Sequence, residues 1–315
     1  METTSPVICA PCRVCGASEA RTVLTGTDHR EGMGGEFSVV VCDGCGLARV
    51  QPWPERPMDW YPTAYQQHTE QTVTGRAVEG AIRSTATRRM PWPLRRVATA
   101  VVPDADMGGL IAPGATLLDV GAGNGTAVRA LRAAGVDAHG IEPSPAAVAA
   151  AHAGGAPTVV EGTLEDNPLA GRRWDVVRLY QTLEHMPDPV AALEAAGALL
   201  APGGHIVIGV PNFGAAGRRV FGSSWDGLEL PRHLHHFTRS SLTAVLERAG
   251  FAVDSVRTVA LFGLLPASAD ARTNGGRRQR GWGKSVPLRA IVYPVELLTA
   301  AAGGGDGLIA VAHAR

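Results

Sequence analysis

Two pairs of cysteines near the start of the chain have the spacing of a metal site. They are Cys12-Arg-Val-Cys15-Gly and Cys42-Asp-Gly-Cys45-Gly, two C-x-x-C-G motifs separated by 26 residues. Each motif places two thiolates on one turn, and four thiolates complete the tetrahedral site that structural zinc prefers. Because the cysteines fill all four positions, we expect this Zn²⁺ to be structural and closed to substrate.

Disulfide bonds and a redox-active C-x-x-C are the other uses of such cysteines. Residues 1–10 have no basic start and no long apolar run, so we expect no secretory signal and a cytoplasmic location, where disulfides are rare. A redox motif needs no second copy. Cys9, the remaining cysteine, is interpreted as a free thiol or an alternative ligand.

A glycine-rich stretch could bind a nucleotide-like cofactor. Residues 116–128 have the pattern of a short strand, a turn with Gly121, Gly123 and Gly125, and a helix start. Such a turn brings backbone N–H groups close to a ligand. A dinucleotide fingerprint needs G-x-G-x-x-G, and here the third glycine comes one position early. Asp119 ends the strand, and its carboxylate would repel a pyrophosphate but suits the sulfonium of S-adenosylmethionine.

Further side chains follow the next two strands. Glu142 ends the second strand, 23 residues after Asp119, where a carboxylate accepts both hydroxyls of a ribose. NAD and S-adenosylmethionine sites share this feature, so it does not separate them. Leu164 follows the third strand and could cover an adenine ring. Glu165 could meet the amino edge of that ring, or belong to a solvated helix start.

Two groups of residues could act as bases or metal ligands. Glu184 and His185 follow the fourth strand, and a carboxylate beside a histidine is a candidate base or half of a metal site. His233, His235 and His236 form a second cluster without an adjacent carboxylate. The alternative for these histidines is packing or capping beside the pocket.

An aromatic segment follows the cysteine motifs. Trp60, Tyr61, Tyr65 and His68 lie close together in a chain that is only 5% aromatic. Tyr61 and Tyr65 are candidate substrate-binding residues in a lid over a pocket. The alternative is that the segment packs the cysteine module onto the main domain.

Strand and helix patterns alternate from residue 113 onward, which predicts a doubly wound, mainly parallel α/β sheet. Ligands of such sheets bind beyond the carboxyl ends of the strands. The predicted strands include 136–141, 158–160, 174–180, 205–210, 251–259 and 307–312, and the predicted helices include 145–153, 189–200, 240–249 and 286–301.

These patterns divide the chain into four parts. We predict a zinc-ribbon module at 1–58, a helical connector or lid at 59–112 and a main domain at 113–265. The remaining residues, 266–315, supply a helix and the last strand of the sheet. They begin with the Gly-, Arg- and Ser-rich residues 266–285, which we predict to be a mobile loop.

The charge of the chain points to no polyanionic partner. The 29 basic and 29 acidic residues balance, so no global field favours nucleic acid or a membrane surface. No stretch approaches the roughly 20 apolar residues of a membrane span. We therefore expect no nucleic-acid or membrane partner. A small molecule is the expected methyl acceptor, and a homodimer is the candidate assembly.

Several motifs in order resemble the class I S-adenosylmethionine-dependent methyltransferases, over about residues 113–255. They are Asp119-Val-Gly-Ala-Gly-Asn-Gly, Ile141-Glu-Pro-Ser, Gly162-Thr-Leu-Glu, Trp174-Asp-Val-Val, Leu183-Glu-His-Met-Pro-Asp-Pro, Leu200-Ala-Pro-Gly-Gly, Pro231-Arg-His-Leu-His-His-Phe-Thr and Leu246-Glu-Arg-Ala-Gly-Phe. The cysteine module and the segment after it are similar to the zinc-binding front of sugar and natural-product methyltransferases.

The resemblance implies a seven-stranded Rossmann-like sheet and a role for each matching residue. Gly121, Gly123 and Gly125 would meet the methionine moiety, with Asp119 near that loop and Glu142 on the ribose. Leu164 would contact adenine, and Gln181 would line the methionine side. Related quinone O-methyltransferases carry an acidic residue and a histidine at Glu184-His185, and some hold a divalent cation there. Gln181 stands where several of them have Glu, which puts a metal-assisted mechanism in doubt.

The resulting hypothesis is methyl transfer to a small molecule, in natural-product, antibiotic or sugar biosynthesis. We expect no long C-terminal domain of the kind found in the sugar C-methyltransferases, which counts against deoxysugar C-methylation. O-methylation is the favoured reaction, with N- and C-methylation as the alternatives. The candidate base is His185, with Glu184 beside it and His233 and His236 in reserve. The rival hypotheses are an NAD(P)-dependent oxidoreductase and a non-catalytic protein whose zinc module recruits a partner.

Overall fold

The structure is a computed structural model that describes residues 5–8, 11–61, 110–261, 263–275, 281–282 and 285–315. Cys9, Tyr65 and residues 62–109 of the predicted connector lie outside the described residues. The described strands are β1 (Ser5–Ile8), β2 (Glu19–Thr27), β3 (Glu36–Cys42), β4 (Ala48–Gln51), β5 (Thr116–Val120), β6 (Asp137–Glu142), β7 (Val159–Glu161), β8 (Trp174–Tyr180), β9 (Leu200–Pro211), β10 (His235–His236), β11 (Phe251–Val259) and β12 (Gly307–Ala314).

The described helices pack around these strands. They are α1 (Thr126–Ala133), α2 (Pro145–Ala153), α3 (Pro189–Gly197), α4 (Ala216–Phe221), α5 (Arg239–Arg248), α6 (Leu264–Thr273) and α7 (Val286–Ala301). Short 3₁₀ turns include Pro57–Trp60 and Leu183–His185. Within the described part of the chain, every helix is too short or too polar to cross a bilayer.

The seven-stranded sheet is mainly parallel, which confirms the predicted fold class. Its strand order is β11-β12-β9-β8-β5-β6-β7, and only the pairings of β12 with β9 and β11 are antiparallel. The chain passes from β5 to β6 on one side and later returns to the other side of β5 as β8. The switch point of the sheet therefore lies at the carboxyl end of β5, where ligands of such sheets bind.

The central strands are apolar because both faces of the sheet are covered. Leu117 and Leu118 are successive residues of β5 and point to opposite faces, yet both are fully buried. Val176 and Val177 behave in the same way on β8. This double burial explains why these strands are nearly continuous hydrophobic runs in the sequence.

Capping residues fix where the helices begin. The Ser144 hydroxyl accepts a hydrogen bond from the Ala147 N–H at 3.3 Å, so Ser144 is the N-cap of α2 as the sequence predicts. Asp188 caps α3 in the same way, and its carboxylate accepts from two backbone N–H groups at 3.1 Å. Pro145 and Pro189 occupy the first position of each helix, where a missing N–H costs nothing.

The second sheet is antiparallel and combines N-terminal residues with a strand from much later in the chain. Its order is β1-β2-β3-β4-β10, and β10 pairs His235 with Arg49 and His236 with Ala48. The sheet thus extends past residue 58, the predicted end of the N-terminal module. Trp225 packs in the same apolar cluster as Phe37 of β3, which further joins the two parts.

The prediction of a loop over 266–285 is wrong for its first part, because Leu264–Thr273 forms α6. The glycines and arginines that suggested a loop lie mainly after Thr273, whereas α6 itself is rich in alanine. Pro266 lies in the first turn, where it does not break the helix, and Ala267 and Ala271 are buried. Residues 276–280 and 283–284 lie outside the described residues.

Candidate functional site

The glycine-rich turn joins β5 to α1 at the switch point. Gly121, Gly123 and Gly125 all have positive φ angles, of 73°, 55° and 68°. A Cβ on Gly121 would lie 2.6 Å from the Thr182 hydroxyl oxygen, and one on Gly125 would lie 2.6 Å from the Ala156 Cβ. A Cβ on Gly123 would have no heavy atom within 4 Å. Packing therefore requires two of the glycines, whereas Gly123 faces space in which a ligand could approach the backbone.

Glu142 holds the glycine-rich turn from the end of β6. Its side chain is buried, Oε2 accepts from the Gly123 N–H at 2.8 Å, and Oε1 accepts from the Ser144 N–H at 3.0 Å. A carboxylate has about four acceptor sites, so further hydroxyl donors can bind it. The structure thus brings Glu142 beside the turn, and its contact with a ribose stays a prediction.

The structure overturns the electrostatic argument based on Asp119. The Asp119 carboxylate is buried and accepts from Arg178 Nη1 at 2.9 Å, on the neighbouring strand β8. These residues are register partners, and the Arg178 guanidinium also stacks on the Tyr180 ring at 4.4 Å. The charge of Asp119 is therefore already balanced within the sheet, and it cannot by itself select a sulfonium over a pyrophosphate. Its contact with a cofactor stays a prediction.

Leu164 and Gln181 lie after β7 and β8, at the same edge of the sheet as the glycine-rich turn. Leu164 is half-buried. Gln181 adopts a φ of 56°, which is unusual for a residue other than glycine, and its N–H donates to the Gly209 carbonyl at 2.7 Å. Backbone strain of this kind concentrates at functional sites. The cofactor contacts predicted for these residues remain predictions.

Glu184 lies fully buried beside His185 and His233. One ligand atom from each of the three residues lies within 4.8 Å of the others. Neither carboxylate oxygen of Glu184 makes a well-aligned hydrogen bond among the described residues, and only the nearby backbone N–H groups of Thr182 and Glu184 favour its charged form. Burial raises the pKa of Glu184 to about 8. A buried carboxylate without a well-aligned donor is costly, and a bound proton or cation would reduce that cost.

His233 comes from a different part of the chain and faces Glu184. Its Nδ1 lies 2.9 Å from the Gly227 carbonyl, so Nδ1 carries the proton and Nε2 does not when the ring is neutral. Nε2 lies 4.0 Å from Glu184 Oε1 and 3.6 Å from Glu229 Oε2. Burial lowers the pKa of His233 to about 3, which favours the neutral ring. Nε2 of His233 and the carboxylate oxygens of Glu184 and Glu229 are therefore hydrogen-bond acceptors that face one another.

His185 is oriented through its Nδ1 atom. Nδ1 lies 3.0 Å from the Arg232 carbonyl oxygen and 2.7 Å from the Tyr61 hydroxyl oxygen. A proton on Nδ1 donates to that carbonyl and leaves Nε2 as the acceptor, the arrangement that a general base needs. Burial lowers the pKa of His185, which also favours the neutral ring. The structure thus brings Tyr61 to the candidate base, while Tyr65 lies outside the described residues.

Ion pairs connect this cluster to the loop between β2 and β3. Arg232 donates to both oxygens of Asp28, at 2.7 and 2.9 Å, and the two side chains are fully buried. Arg30 pairs with Glu229 and with Asp226. Burial opposes ionisation of Asp28, but the paired Arg232 outweighs it and lowers the pKa of that carboxyl. The N-terminal residues are therefore anchored at the side of His185.

Sequence reasoning missed Asp28, Arg30 and Glu229 as parts of the candidate site. Arg30 and Glu229 are 199 positions apart in the chain, and Asp28 and Arg232 are 204 positions apart. No local spacing connects them. The stretches around Asp28 and around Glu229 are both rich in polar and charged residues, so the sequence gives no signal that singles out these three.

His236 lies in β10, beside His233. Its ring packs against Phe213, with centroids 5.4 Å apart, and burial lowers its pKa well below the usual value. Its ring centroid is 6.3 Å from that of His233. Its use as a reserve base stays a prediction.

The four cysteine sulfurs converge as the sequence predicts. Cys12 Sγ lies 3.7 Å from Cys45 Sγ, Cys15 Sγ lies 3.5 Å from Cys42 Sγ, and all four lie within 4.8 Å of one another. These distances are too long for disulfides and close to the ~3.8 Å between sulfurs of a tetrahedral zinc site with Zn–S bonds of ~2.3 Å.

Glycines shape both cysteine turns and let them approach each other. Gly16 and Gly46, which end the two motifs, have φ angles of 77° and 71°. A Cβ on Gly44 would lie 2.9 Å from Cys15 Sγ. Cys12 and Cys42 also belong to the apolar cluster that contains Leu183, so the cysteine site packs directly against the main domain.

Comparison with known proteins identifies one family. A family model described as "Methyltransferase domain" matches residues 94–256. The ubiquinone biosynthesis O-methyltransferase of Azorhizobium caulinodans is 31% identical over 157 residues, which are 45% of this chain and 61% of that protein. The protein of the same name from Cereibacter sphaeroides is 32% identical over 133 residues, which are 40% of this chain and 54% of that protein.

The matches cover only part of these relatives, since the chain spans 61% and 54% of their lengths. Among solved structures, an S-adenosylmethionine-dependent methyltransferase from Mesorhizobium loti matches at a TM-score of 0.45 and 19% identity. That alignment covers 76% of this chain and all of that chain.

Proposed function

Because the chain belongs to the methyltransferase domain family, we propose that it transfers a methyl group from S-adenosylmethionine to a hydroxyl group of a small molecule. The observation that carries the proposal is a juxtaposition at one edge of the sheet. The glycine-rich turn follows β5 and is held by Glu142. His185, whose Nδ1 lies at a backbone carbonyl so that Nε2 can accept a proton, follows β8, which is the neighbour of β5 in the sheet.

The cofactor binds along the ends of β5, β6 and β7 in this proposal. The open space at Gly123 admits the methionine part beside the backbone, and Glu142 accepts the ribose hydroxyls in addition to its two N–H donors. Leu164 covers adenine, and Gln181 lines the methionine side. The glycine spacing and the family support S-adenosylmethionine over NAD(P). The charge of Asp119 does not distinguish the two cofactors, because Asp119 is paired with Arg178.

His185 acts as the base in this proposal. S-Adenosylmethionine would supply the methyl group from its sulfonium, and the rest of the cofactor would leave as a neutral thioether. Nε2 of His185 removes the hydroxyl proton, while Nδ1–H stays fixed on the Arg232 carbonyl. The ion pair between Asp28 and Arg232 keeps that backbone segment in place. The enzyme otherwise contributes by aligning the acceptor and excluding water.

A divalent cation between Glu184, His185 and His233 is the second mechanism that specific observations favour. Both Glu184 oxygens lack well-aligned hydrogen bonds among the described residues, and Nε2 of His233 faces two carboxylates. Two imidazoles and one carboxylate suit Zn²⁺, Mn²⁺ or Fe²⁺ better than Mg²⁺. If this cation is present, Glu184→Gln and His233→Ala should each lower both the bound metal and turnover. Unchanged metal content in both variants would leave His185 as the base.

The four cysteines hold a structural zinc ion in this proposal. The sulfur distances and the absence of disulfide geometry support it, and all four ligand positions are occupied by protein. Metal analysis of the Cys12→Ser and Cys42→Ser variants should show the loss of about one equivalent of zinc. Full retention of zinc in both variants would contradict this site.

The wider setting is also part of the proposal. The names of the curated relatives favour oxygen as the methyl acceptor. The cysteine module favours natural-product, antibiotic or sugar biosynthesis. A cytoplasmic location and a homodimer are further parts of the proposal, and N- or C-methylation are the alternative reactions. The single observation that would best identify the acceptor is a product-complex structure that shows which atoms face the sulfur.

Calorimetry with S-adenosylhomocysteine and with NADH tests the proposed activity. We expect the first to bind and the second not to bind. Binding of NADH alone would support the oxidoreductase instead. Binding of S-adenosylhomocysteine, combined with no methyl transfer to any phenol, catechol or sugar hydroxyl tested, would support the non-catalytic partner protein.

A further inference from the structure

We infer that the protein carries a further transition-metal site at the opposite end of the sheet from the glycine-rich turn, formed by His205, Asp254 and His313. One ligand atom from each residue lies within 4.8 Å of the others. Two imidazoles and one carboxylate form a donor set that zinc and nickel accept. This site is independent of the proposed methyl transfer and of the four cysteines.

The register of the sheet brings the two histidines together. His205 on β9 and His313 on β12 are direct partners across an antiparallel pair. Residues that face each other in this way have Cβ atoms about 4.5–5.5 Å apart on the same face of the sheet. The two imidazole centroids are 6.0 Å apart. One ion can therefore lie between the rings without a change in the backbone.

An irregularity in β11 supplies the carboxylate. The pairing of β11 with β12 shifts between Val253 and Ser255, so Asp254 is the extra residue of a β-bulge. Bulges redirect a side chain and are frequent next to functional sites. Asp254 Oδ1 lies 2.8 Å from His313 Nδ1, and Oδ2 lies 3.8 Å from His205 Nε2. The carboxylate thus reaches both histidines at once.

The cluster is accessible to an ion from solution. The His205, Asp254 and His313 side chains are 28%, 37% and 45% exposed. His313 also lines a cleft of about 350 Å³ that includes Arg173. Three protein donors leave one position of a four-coordinate zinc ion open. The positive charge of Arg173 beside that cleft favours an anion as the fourth ligand.

Binding of Zn²⁺ to the full chain tests this inference. The protein is first loaded with zinc at the cysteines, dialysed into a non-coordinating buffer, and titrated by calorimetry. We expect the wild type to bind one more equivalent of Zn²⁺ than the His205→Ala, His313→Ala double variant. His152→Ala is the matched control, because His152 is exposed and lies outside all three candidate clusters, and it should bind as the wild type does.

A conservative variant keeps the test decisive if the double variant does not fold. Asp254→Asn keeps the shape of the side chain but removes its charge, and it should weaken binding of this equivalent at least tenfold. Anomalous scattering from crystals soaked in Zn²⁺ should show a peak between the three side chains. Equal stoichiometry and affinity in the wild type and the variants, or no such peak, would overturn the inference.

Discussion

The glycine-rich turn and the cluster around His185 lie at the ends of neighbouring strands, β5 and β8, but contacts of different range in the sequence hold them in place. The turn is fixed by three glycines and by backbone N–H groups that donate to Glu142, all within residues 119–144. The cluster is fixed by Tyr61, His233 and a buried ion pair between Asp28 and Arg232.

This difference shows that the N-terminal residues do more than bring the four cysteines together. They supply Asp28 and Tyr61 to the cluster around His185, and their sheet is completed by β10. Among the described residues, the contacts of Glu142 with the glycine-rich turn involve neither Asp28 nor Tyr61. Changes in the N-terminal part should therefore affect the acceptor side and leave cofactor binding largely intact.

The largest expected effect is on turnover, from loss of the candidate base. His185→Ala should lower turnover by roughly 10²–10⁴-fold, because a positioned base contributes about that much. Affinity for S-adenosylhomocysteine, measured by calorimetry, should stay within about twofold of the wild type. His152→Ala is the control and should retain full activity. Turnover that survives His185→Ala would remove His185 from the mechanism.

Breaking the buried ion pair should have the next largest effect. Asp28→Asn leaves Arg232 buried with less compensation and should lower the free energy of unfolding by roughly 3–5 kcal/mol. The matched control is Asp43→Asn, which breaks the exposed pair with Arg21 and should cost less than about 1 kcal/mol. Urea unfolding measures both. Equal losses in the two variants would contradict the special role of the buried pair.

The same pair gives a pH dependence with a definite sign. Burial opposes ionisation of Asp28, but Arg232 outweighs it, so the pKa of this carboxyl is lower in the folded protein than in the unfolded chain. Its stabilisation is therefore complete above the unfolded pKa of about 3.9 and is lost as the pH falls below it. The stability difference between wild type and Asp28→Asn should shrink on acidification below about pH 4. A constant difference across that range would argue against this pairing.

A smaller effect is expected on the cofactor side. Glu142→Gln removes a charged acceptor from the turn and from the proposed ribose contact. It should weaken S-adenosylhomocysteine binding by roughly 1.5–3 kcal/mol, or ~10–150-fold. Stability should change much less than in Asp28→Asn. A Glu142→Gln protein that binds the product cofactor normally would contradict the ribose assignment.

The smallest effect is expected at the open glycine. Gly123→Ala places a Cβ at a φ of 55°, which should cost about 1–2 kcal/mol of stability although no atom blocks the space. Gly121→Ala is the comparison, since its Cβ would also clash with Thr182. Cofactor affinity should fall more in Gly123→Ala, relative to its loss of stability, than in Gly121→Ala. The opposite order would mean that the open space is not used by a ligand.

The sequence by itself determined the elements that depend on neighbouring residues. Strands 174–180 and 251–259 and helices 145–153 and 286–301 have the predicted bounds, because apolar runs, alanine-rich composition and the Ser144 cap are local signals. The cysteine spacing likewise predicted the convergence of four sulfurs. The predicted loop over 266–285 was wrong where alanine-rich residues continued a helix.

Only the tertiary structure decided which charges meet. Asp119 is neutralised by Arg178, Asp28 pairs with Arg232, and His233 comes to face Glu184. These partners are separated by 59, 204 and 49 positions in the chain. Local patterns carry no information about such distant pairs. Sheet register and burial select them, because a buried charge must find its partner wherever the fold places one.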